Sequence, residues 1–356
     1  MGGSSIGEGF PGVTRAAVVF AAALLVAWVG CDRALPPGSV MTSLLAVGDT
    51  GARPEDPSDY PNLLAVGAAL AAHHAERPAQ ALLLLGDNFY DEGLRRDELV
   101  SRVRANLVRP FCAFVALHGP RSPEVADACE TAGADRPAVA IYALLGNHDH
   151  ARPASPGLQR SAVPRFVSNW RLSPALAHVY ELDGGVSLIA LDSERLARGE
   201  DGGPLVEALR SARGPWRVLA AHRPMFALGA RGDASRQEAY MRRVHEAIAE
   251  SGVRVHLALA GHEHNLQVLA AEPPAPALHV VAGGGSDVRR IRAETPQRLA
   301  GSEALGYARI DLVAAGGEAR LFASLYRVPD LPLRLLGGRW LVARWSVDRA
   351  GRVREE

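Results

Sequence analysis

The chain has 356 residues, 39 basic and 39 acidic side chains, a formal net charge of zero and 48% apolar residues. That length supplies ample core for one large domain or two smaller ones. The charge balance argues against a general nucleic-acid binder, which carries a basic excess, and against an acidic solvating tail. All 39 basic residues are Arg, so neither a catalytic lysine nor a P-loop lysine is present.

Residues 1–14 are Gly- and Ser-containing and read as a disordered lead-in. Arg15 then precedes an unbroken apolar run at 16–29. A charged residue before such a run is the pattern of an export signal, and the run falls short of the about 20 residues of a membrane-spanning helix. It closes on Trp28-Val29-Gly30-Cys31. A small residue before Cys resembles a bacterial lipoprotein processing site; an uncleaved anchor and a plain export signal are the alternatives. All three put the folded part outside the cytoplasm, with membrane attachment through lipid on Cys31 or through the signal anchor. If Cys31 carries lipid, Cys112 and Cys129 remain, and an exported protein pairs such thiols in a disulfide. Two buried free thiols are the alternative. The expected layout is an export segment at 1–31, a linker at 32–40 and a single domain at 41–350.

Past the linker a local pattern repeats. A short apolar run passes directly into a polar cluster. Run 43–47 leads into Gly48-Asp49-Thr50-Gly51, and run 81–85 into Gly86-Asp87-Asn88-Phe89-Tyr90. Run 139–145 leads into Gly146-Asn147-His148-Asp149-His150. Runs 218–221 and 255–260 lead into His222-Arg223-Pro224 and Gly261-His262-Glu263-His264. A sixth run, 186–191, ends in Asp192-Ser193. Runs of this length bounded by turn residues read as buried strands. Helix-like segments at 62–74, 97–108, 205–213 and 236–250 lie between several of them, which predicts a layered α/β core. Ligands in such folds gather beyond the carboxyl ends of strands, where every polar cluster falls. From about 266 the chain reads as β-rich and is expected to complete a second sheet.

Asp49, Asp87, Tyr90, Asn147, His222, His262 and His264 together offer anionic oxygens, an amide oxygen and imidazole nitrogens. Seven such side chains suffice for two ions if one carboxylate bridges them. Two ions about 3.5–4 Å apart activate water and steady an in-line phosphoryl displacement. No Gly-x-Ser-x-Gly nucleophile motif is present, and none is needed.

On these motifs the chain resembles the calcineurin-like metallophosphoesterases. Within them it is similar to the purple acid phosphatases, most of all the small tartrate-resistant type. Asp49-Thr50-Gly51 matches the Asp-x-Gly of that group, and Gly86-Asp87-Asn88-Phe89-Tyr90 its Gly-Asp-x-x-Tyr. Gly261-His262-Glu263-His264-Asn265-Leu266-Gln267 also looks like the small type. The resemblance runs from about 43 to 311. It implies a four-layer sandwich, two mixed β-sheets flanked by helices, with the metal site at the C-terminal strand ends. It implies that Asp49, Tyr90 and His264 hold a first ion, that Asp87 bridges, and that Asn147, His222 and His262 hold a second. Hard oxygen donors suit Fe(III) at the first; Fe(II), Zn(II) or Mn(II) suit the second. An ion-bound hydroxide would attack a small phosphorylated substrate, and His148 would protonate the leaving oxygen or hold the phosphate. Asp149 is expected to orient His148, with a turn residue capping its own backbone as the alternative. His150 is read as a residue of the pocket rim, with a support behind the ligand residues as the alternative, and Asp192 as a turn aspartate. The chain departs from the group at Arg231, where a second substrate-side histidine is usual; Arg binds phosphate bidentately but holds its proton. The reaction implied is phosphomonoester hydrolysis. A phosphodiesterase on nucleotides or phospholipid head groups is the alternative, and a non-catalytic binder the remote one. The segment 111–135 reads as an insertion.

Overall fold

The computed structural model describes residues 34–129, 139–226, 234–291, 296–329 and 337–356. The expected export segment with Cys31, the residue Arg231 and the end of the insertion lie outside the described residues. Among the described residues no helix is long and apolar enough to cross a membrane.

In chain order the first strands are β1 (Ser39–Val47), β2 (Ala81–Leu84), β3 (Ala140–Ala143), β4 (Trp170–Arg171) and β5 (Ala177–Leu182). Next come β6 (Val186–Leu191), β7 (Trp216–Ala221), β8 (Leu257–Ala260), β9 (Leu266–Ala270) and β10 (Leu278–Ala282). The last are β11 (Arg298–Ser302), β12 (Gly306–Ala315), β13 (Glu318–Arg327), β14 (Trp340–Asp348) and β15 (Val353–Glu355). The helices are α1 (Asp59–Glu76), α2 (Leu99–Val103), α3 (Ser155–Ser161), α4 (Ser193–Ala197), α5 (Gly203–Ser211) and α6 (Ala234–Ser251). Strand β1 thus takes in positions 39 and 40, expected as linker, and β15 lies beyond the expected end at 350.

Two mixed sheets result. One runs β15-β14-β13-β12-β1-β2-β3-β4, the other β11-β9-β10-β8-β7-β6-β5. Strands β1 to β4 are parallel to one another, as are β6, β7, β8 and β10. Successive side chains of a strand point to opposite faces, and here both faces are covered. Leu44 and Ala46 of β1 pack with Leu188 of β6, Val218 of β7 and Leu259 of β8 between the sheets. Leu45 and Val47, the alternate residues, pack outward against Leu63, Val66 and Leu70 of α1. On the far side, Ile189, Leu219 and their neighbours meet Leu205 and Leu209 of α5 and Val244 and Ile248 of α6. The order is helix, sheet, sheet, helix. Double burial is why the central strands read as unbroken apolar runs rather than alternating ones.

The C-terminal part divides. Strands β9, β10 and β11 complete the second sheet as expected, but β12 to β15 do not. Strand β12 pairs antiparallel with β1, and β13, β14 and β15 follow as hairpin partners, so the meander extends the first sheet. Its Ala308, Ile310 and Leu312 face the inter-sheet core. Cys112 and Cys129 are joined in a disulfide with Cα atoms 5.3 Å apart. Phe111, Phe114 and Val125 carry the described part of the insertion into the core beneath α1. Arg104 fixes it from the turn after α2, donating to the Glu124 carbonyl at 2.8 Å.

Candidate metal centre

The polar clusters arrive at one end of the paired sheets. Asp49 follows β1, Asp87 and Tyr90 follow β2, and Asn147 and His148 follow β3. His222 follows β7 and His262 and His264 follow β8 in the other sheet. Gly48 N donates to the Ala282 carbonyl at 2.8 Å and Ser286 Oγ to the Asp49 carbonyl at 2.8 Å, tying the two sheets at this junction.

Among the described residues, the non-glycine residues with positive φ are Asp49 (61°), Asp87 (54°) and His262 (68°). Crowding at Cβ makes that region costly, on the order of 1–3 kcal/mol each, and such residues persist where the fold must aim a functional group. The motif glycines make room for the side chains. A Cβ on Gly146 would lie 2.1 Å from Asp87 Oδ1, and one on Gly261 would lie 2.7 Å from Asp49 Oδ2.

Two groups of three donor atoms converge. Tyr90 Oη lies 3.2 Å from Asp49 Oδ1 and 3.2 Å from His264 Nε2, which is itself 3.3 Å from Asp49 Oδ1. Asn147 Oδ1 lies 2.9 Å from His262 Nδ1 and 3.2 Å from His222 Nε2, and the two ring nitrogens are 3.2 Å apart. Asp87 joins them: one donor atom each from Asp49, Asp87 and His222 lie within 4.8 Å of one another. Asp87 Oδ2 is 3.4 Å from His222 Nε2, buried, and without a hydrogen-bond partner.

The tautomers follow from the other ring nitrogens. His222 Nδ1 donates to the Leu85 carbonyl at 2.9 Å and His264 Nδ1 to the Asp287 carboxylate at 3.0 Å. Each neutral ring therefore turns a lone pair on Nε2 inward, the arrangement that a ligand histidine needs. Acceptors converging on one point demand a cation. Burial by itself pushes His222 down, yet the Asp87 charge above all raises it to about 10. Burial likewise pushes His264 down, while Asp49 and then Asp287 raise it to about 9. Burial pushes the Asp87 carboxyl up, but His222 and His148 outweigh it and hold the group below the usual carboxylate range. In the ion-free protein protons thus take the place of metal charge. The oxygen-rich and nitrogen-rich donor sets, and the orphaned Asp87 oxygen, fit two cations.

His148 donates Nδ1–H to the Asp91 carbonyl, and its Nε2 lies 3.9 Å from Asp87 Oδ2. Asp149 caps backbone, as in the alternative reading, rather than orienting His148. Its carboxylate accepts from the backbone N–H of Asn88 (3.1 Å), Phe89 (3.3 Å) and Gly146 (3.0 Å) and from Gln159 Nε2 (2.7 Å). It braces the β2 and β3 turns against each other, and the His148 ring is oriented by Asp91 instead. Burial first, then the Asp87 charge, raises Asp149 to about 6.

Three further groups belong to the centre. Asp287 backs His264. Arg102, buried on α2, donates Nη2–H to the Gly51 carbonyl at 2.9 Å and the Tyr90 carbonyl at 2.8 Å, joining the two turns that carry Asp49 and Tyr90. Asp192 accepts from His150 Nε2 at 2.9 and 3.0 Å. The signal for Asp287 was available: β10 passes into Gly283-Gly284-Gly285-Ser286-Asp287, the same strand-to-glycine pattern as the other turns.

The family profile described as calcineurin-like phosphoesterase matches residues 42–266. No curated protein sequence matches the chain. Among solved structures, GAP50, described as the anchor in the inner membrane complex of Plasmodium, is similar at 14% identity and a TM-score of 0.57, covering 82% of this chain and 86% of that one. The purple acid phosphatase PPD1 from yellow lupin (Lupinus luteus) seeds is 14% identical at a TM-score of 0.53, over 83% of this chain and 53% of that one. PhoD is 13% identical at a TM-score of 0.53, over 90% and 72%. At these identities the likeness to the three structures is one of fold.

Proposed function

The chain belongs to the calcineurin-like phosphoesterase family, and from that premise we propose that it is an exported two-metal phosphatase of the purple acid type, acting on phosphomonoesters. The observation that carries this reading is the pair of three-atom donor groups joined by the buried, unpartnered oxygen of Asp87. Asp49, Tyr90 and His264 would hold the first ion, Asn147, His222 and His262 the second, and Asp87 would serve both. A phenolate with carboxylates suits Fe(III), and the nitrogen-rich group suits Fe(II), Zn(II) or Mn(II). When bound, the ions supply activated water and positive charge for in-line displacement at phosphorus.

The chain's own residues do the rest. Asp49 and Asp87 supply the negative charge that would hold the cations. His148, with Nδ1 committed to Asp91, has Nε2 to carry a proton to the departing oxygen. Its side chain is 26% exposed, so it stands on the solvent side of the buried Asp87. Asp149 and Arg102 keep the ligand turns in register. The Cys112–Cys129 disulfide supports residence in an oxidising compartment, and the apolar run before Cys31 supports export and lipid attachment.

The test compares an aryl phosphate monoester with the matching diester, from acid to neutral pH, on protein starting after Cys31 and loaded with iron and zinc. Faster monoester turnover is the expected result. Faster diester turnover overturns the substrate assignment while leaving the two-ion centre standing.

A further inference from the structure

The centre is assembled from two sheets, so something must hold Asn147, from the first, against His222, from the second. Asn147 sits in the tight turn 146–151, closed by His150 N to the Gly146 carbonyl and Ala151 N to the His148 carbonyl, both at 3.1 Å. His150, three residues on, reaches across to the other sheet and donates Nε2–H to both Asp192 oxygens, at 2.9 and 3.0 Å. A carboxylate only accepts, so the proton on this ring nitrogen is fixed. The pair is nearly closed to solvent, with side chains 10% and 8% exposed.

Asp192 is a rigid anchor. It ends β6 and caps α4, accepting from Arg195 N at 3.2 Å. It also stands beside His222: Leu191 and Ala221 are register partners on β6 and β7, and Asp192 and His222 are the next residues. The residues that follow are bolted together. Arg223 N donates to Ser193 Oγ at 3.0 Å, and the buried Arg223 guanidinium pairs with the Glu194 carboxylate. One continuous set of bonds therefore runs from the Asn147 turn through His150 and Asp192 to the strand end that carries His222.

We propose that His150 and Asp192 form a latch that sets the distance between Asn147 and His222 and so governs binding at the second ion site alone. They are positioning residues, acting through Asn147 and His222. The first site has its own brace, Arg102, which joins the Gly51 and Tyr90 turns. The inference rests on the two-ion reading above.

Asp192→Ala and His150→Ala are each expected to weaken the second ion by about 10–100-fold, the usual cost of losing an outer partner of a ligand. The first ion, followed by the visible charge-transfer band that a Tyr90 phenolate bound to Fe(III) would give, stays bound with its band unmoved. Because the two side chains act as one unit, the double variant is expected to be no weaker than either single one. Asp192→Asn, which keeps one acceptor oxygen, is expected to retain second-ion affinity within a few-fold and serves if the alanine variant does not fold. Equal loss of both ions, additive loss in the double variant, or unchanged second-ion affinity overturns the latch. Wild-type protein that holds fewer than two ions overturns the two-ion reading, and the latch with it.

Discussion

Asp87→Asn is expected to abolish phosphoester hydrolysis and to strip the protein of both ions while leaving it folded. The side chain keeps its shape, and the contact from His148 N to Oδ1, at 2.9 Å, survives. What changes is Oδ2. It is buried, has no hydrogen-bond partner and lies between the two donor groups. If the amide nitrogen takes its place, two N–H donors point where cations are required; if the amide flips, the bond from His148 N is lost instead. Either way the one negative charge common to both sites is gone. Ions of this kind contribute several kcal/mol to the transition state, so the loss in turnover is on the order of 10³-fold or more. Metal analysis and turnover on the same sample check it. Unchanged hydrolysis and metal content in the variant would remove Asp87 from the bridging role.

The second large effect concerns acid. The melting temperature of the ion-free protein is expected to fall from about pH 7.5 to about pH 5. Three buried histidines outside the centre drive it. Burial, then Arg339, Arg309, Arg77 and Arg344, pushes His73 down to about 2. Burial pushes His256 down to about 4 against its bond to the Arg349 carbonyl, and burial, then His245, pushes His279 down to about 3. All three carry an ordinary value of 6.5 once unfolded. Below about 6.5 the unfolded chain takes up protons that the folded protein refuses. Their contribution is therefore complete above that pH and is lost as pH falls toward the folded values. At about pH 5 each costs about 2 kcal/mol, or about 6 kcal/mol together. Asp149, raised to about 6, works in the other direction. The folded protein takes its proton first, returning about 1 kcal/mol at the same pH. In the ion-free protein His222 and His264, raised to about 10 and about 9, likewise hold their protons before the unfolded chain does and return about 1 kcal/mol each over the same range. The net loss is about 3 kcal/mol, a substantial part of a domain stability of about 5–15 kcal/mol. His279→Val is expected to flatten the dependence by about one proton, and melting curves across this range measure it. A melting temperature that stays level contradicts the account. The effect bears on function, because turnover below about pH 5 would then report the folded fraction as well as the chemistry.

That the polar clusters meet at one end of the sheets is legible in the sequence because the fold forces local patterns. Strands buried on both faces must be apolar without interruption, which made the runs before Asp49, Asp87, Asn147, His222 and His262 visible. The glycines beside them are dictated by the crowding of the same side chains, as at Gly146 and Gly261. The supports were not legible. Asp149 stands next to His148 in sequence, yet its carboxylate is spent on Asn88, Phe89, Gly146 and Gln159. Adjacency along a turn says nothing about which way a buried carboxylate faces. Asp192 read as a turn aspartate because His150 is 42 positions away, and Arg102 reaches Gly51 across 51. Sequence alone places the meander in the second sheet for a related reason. Alternation along β12 tells which residues face inward but not which strand lies beside it, and that neighbour is β1.

The most direct test of the account is aryl phosphate hydrolysis by the protein stripped of metal and then reloaded, with ions per chain counted in each sample. The account predicts no turnover in the stripped protein and recovery that follows occupancy up to two ions per chain. Two bound ions without turnover on any phosphate ester would contradict it and leave a metal-binding protein that does no chemistry.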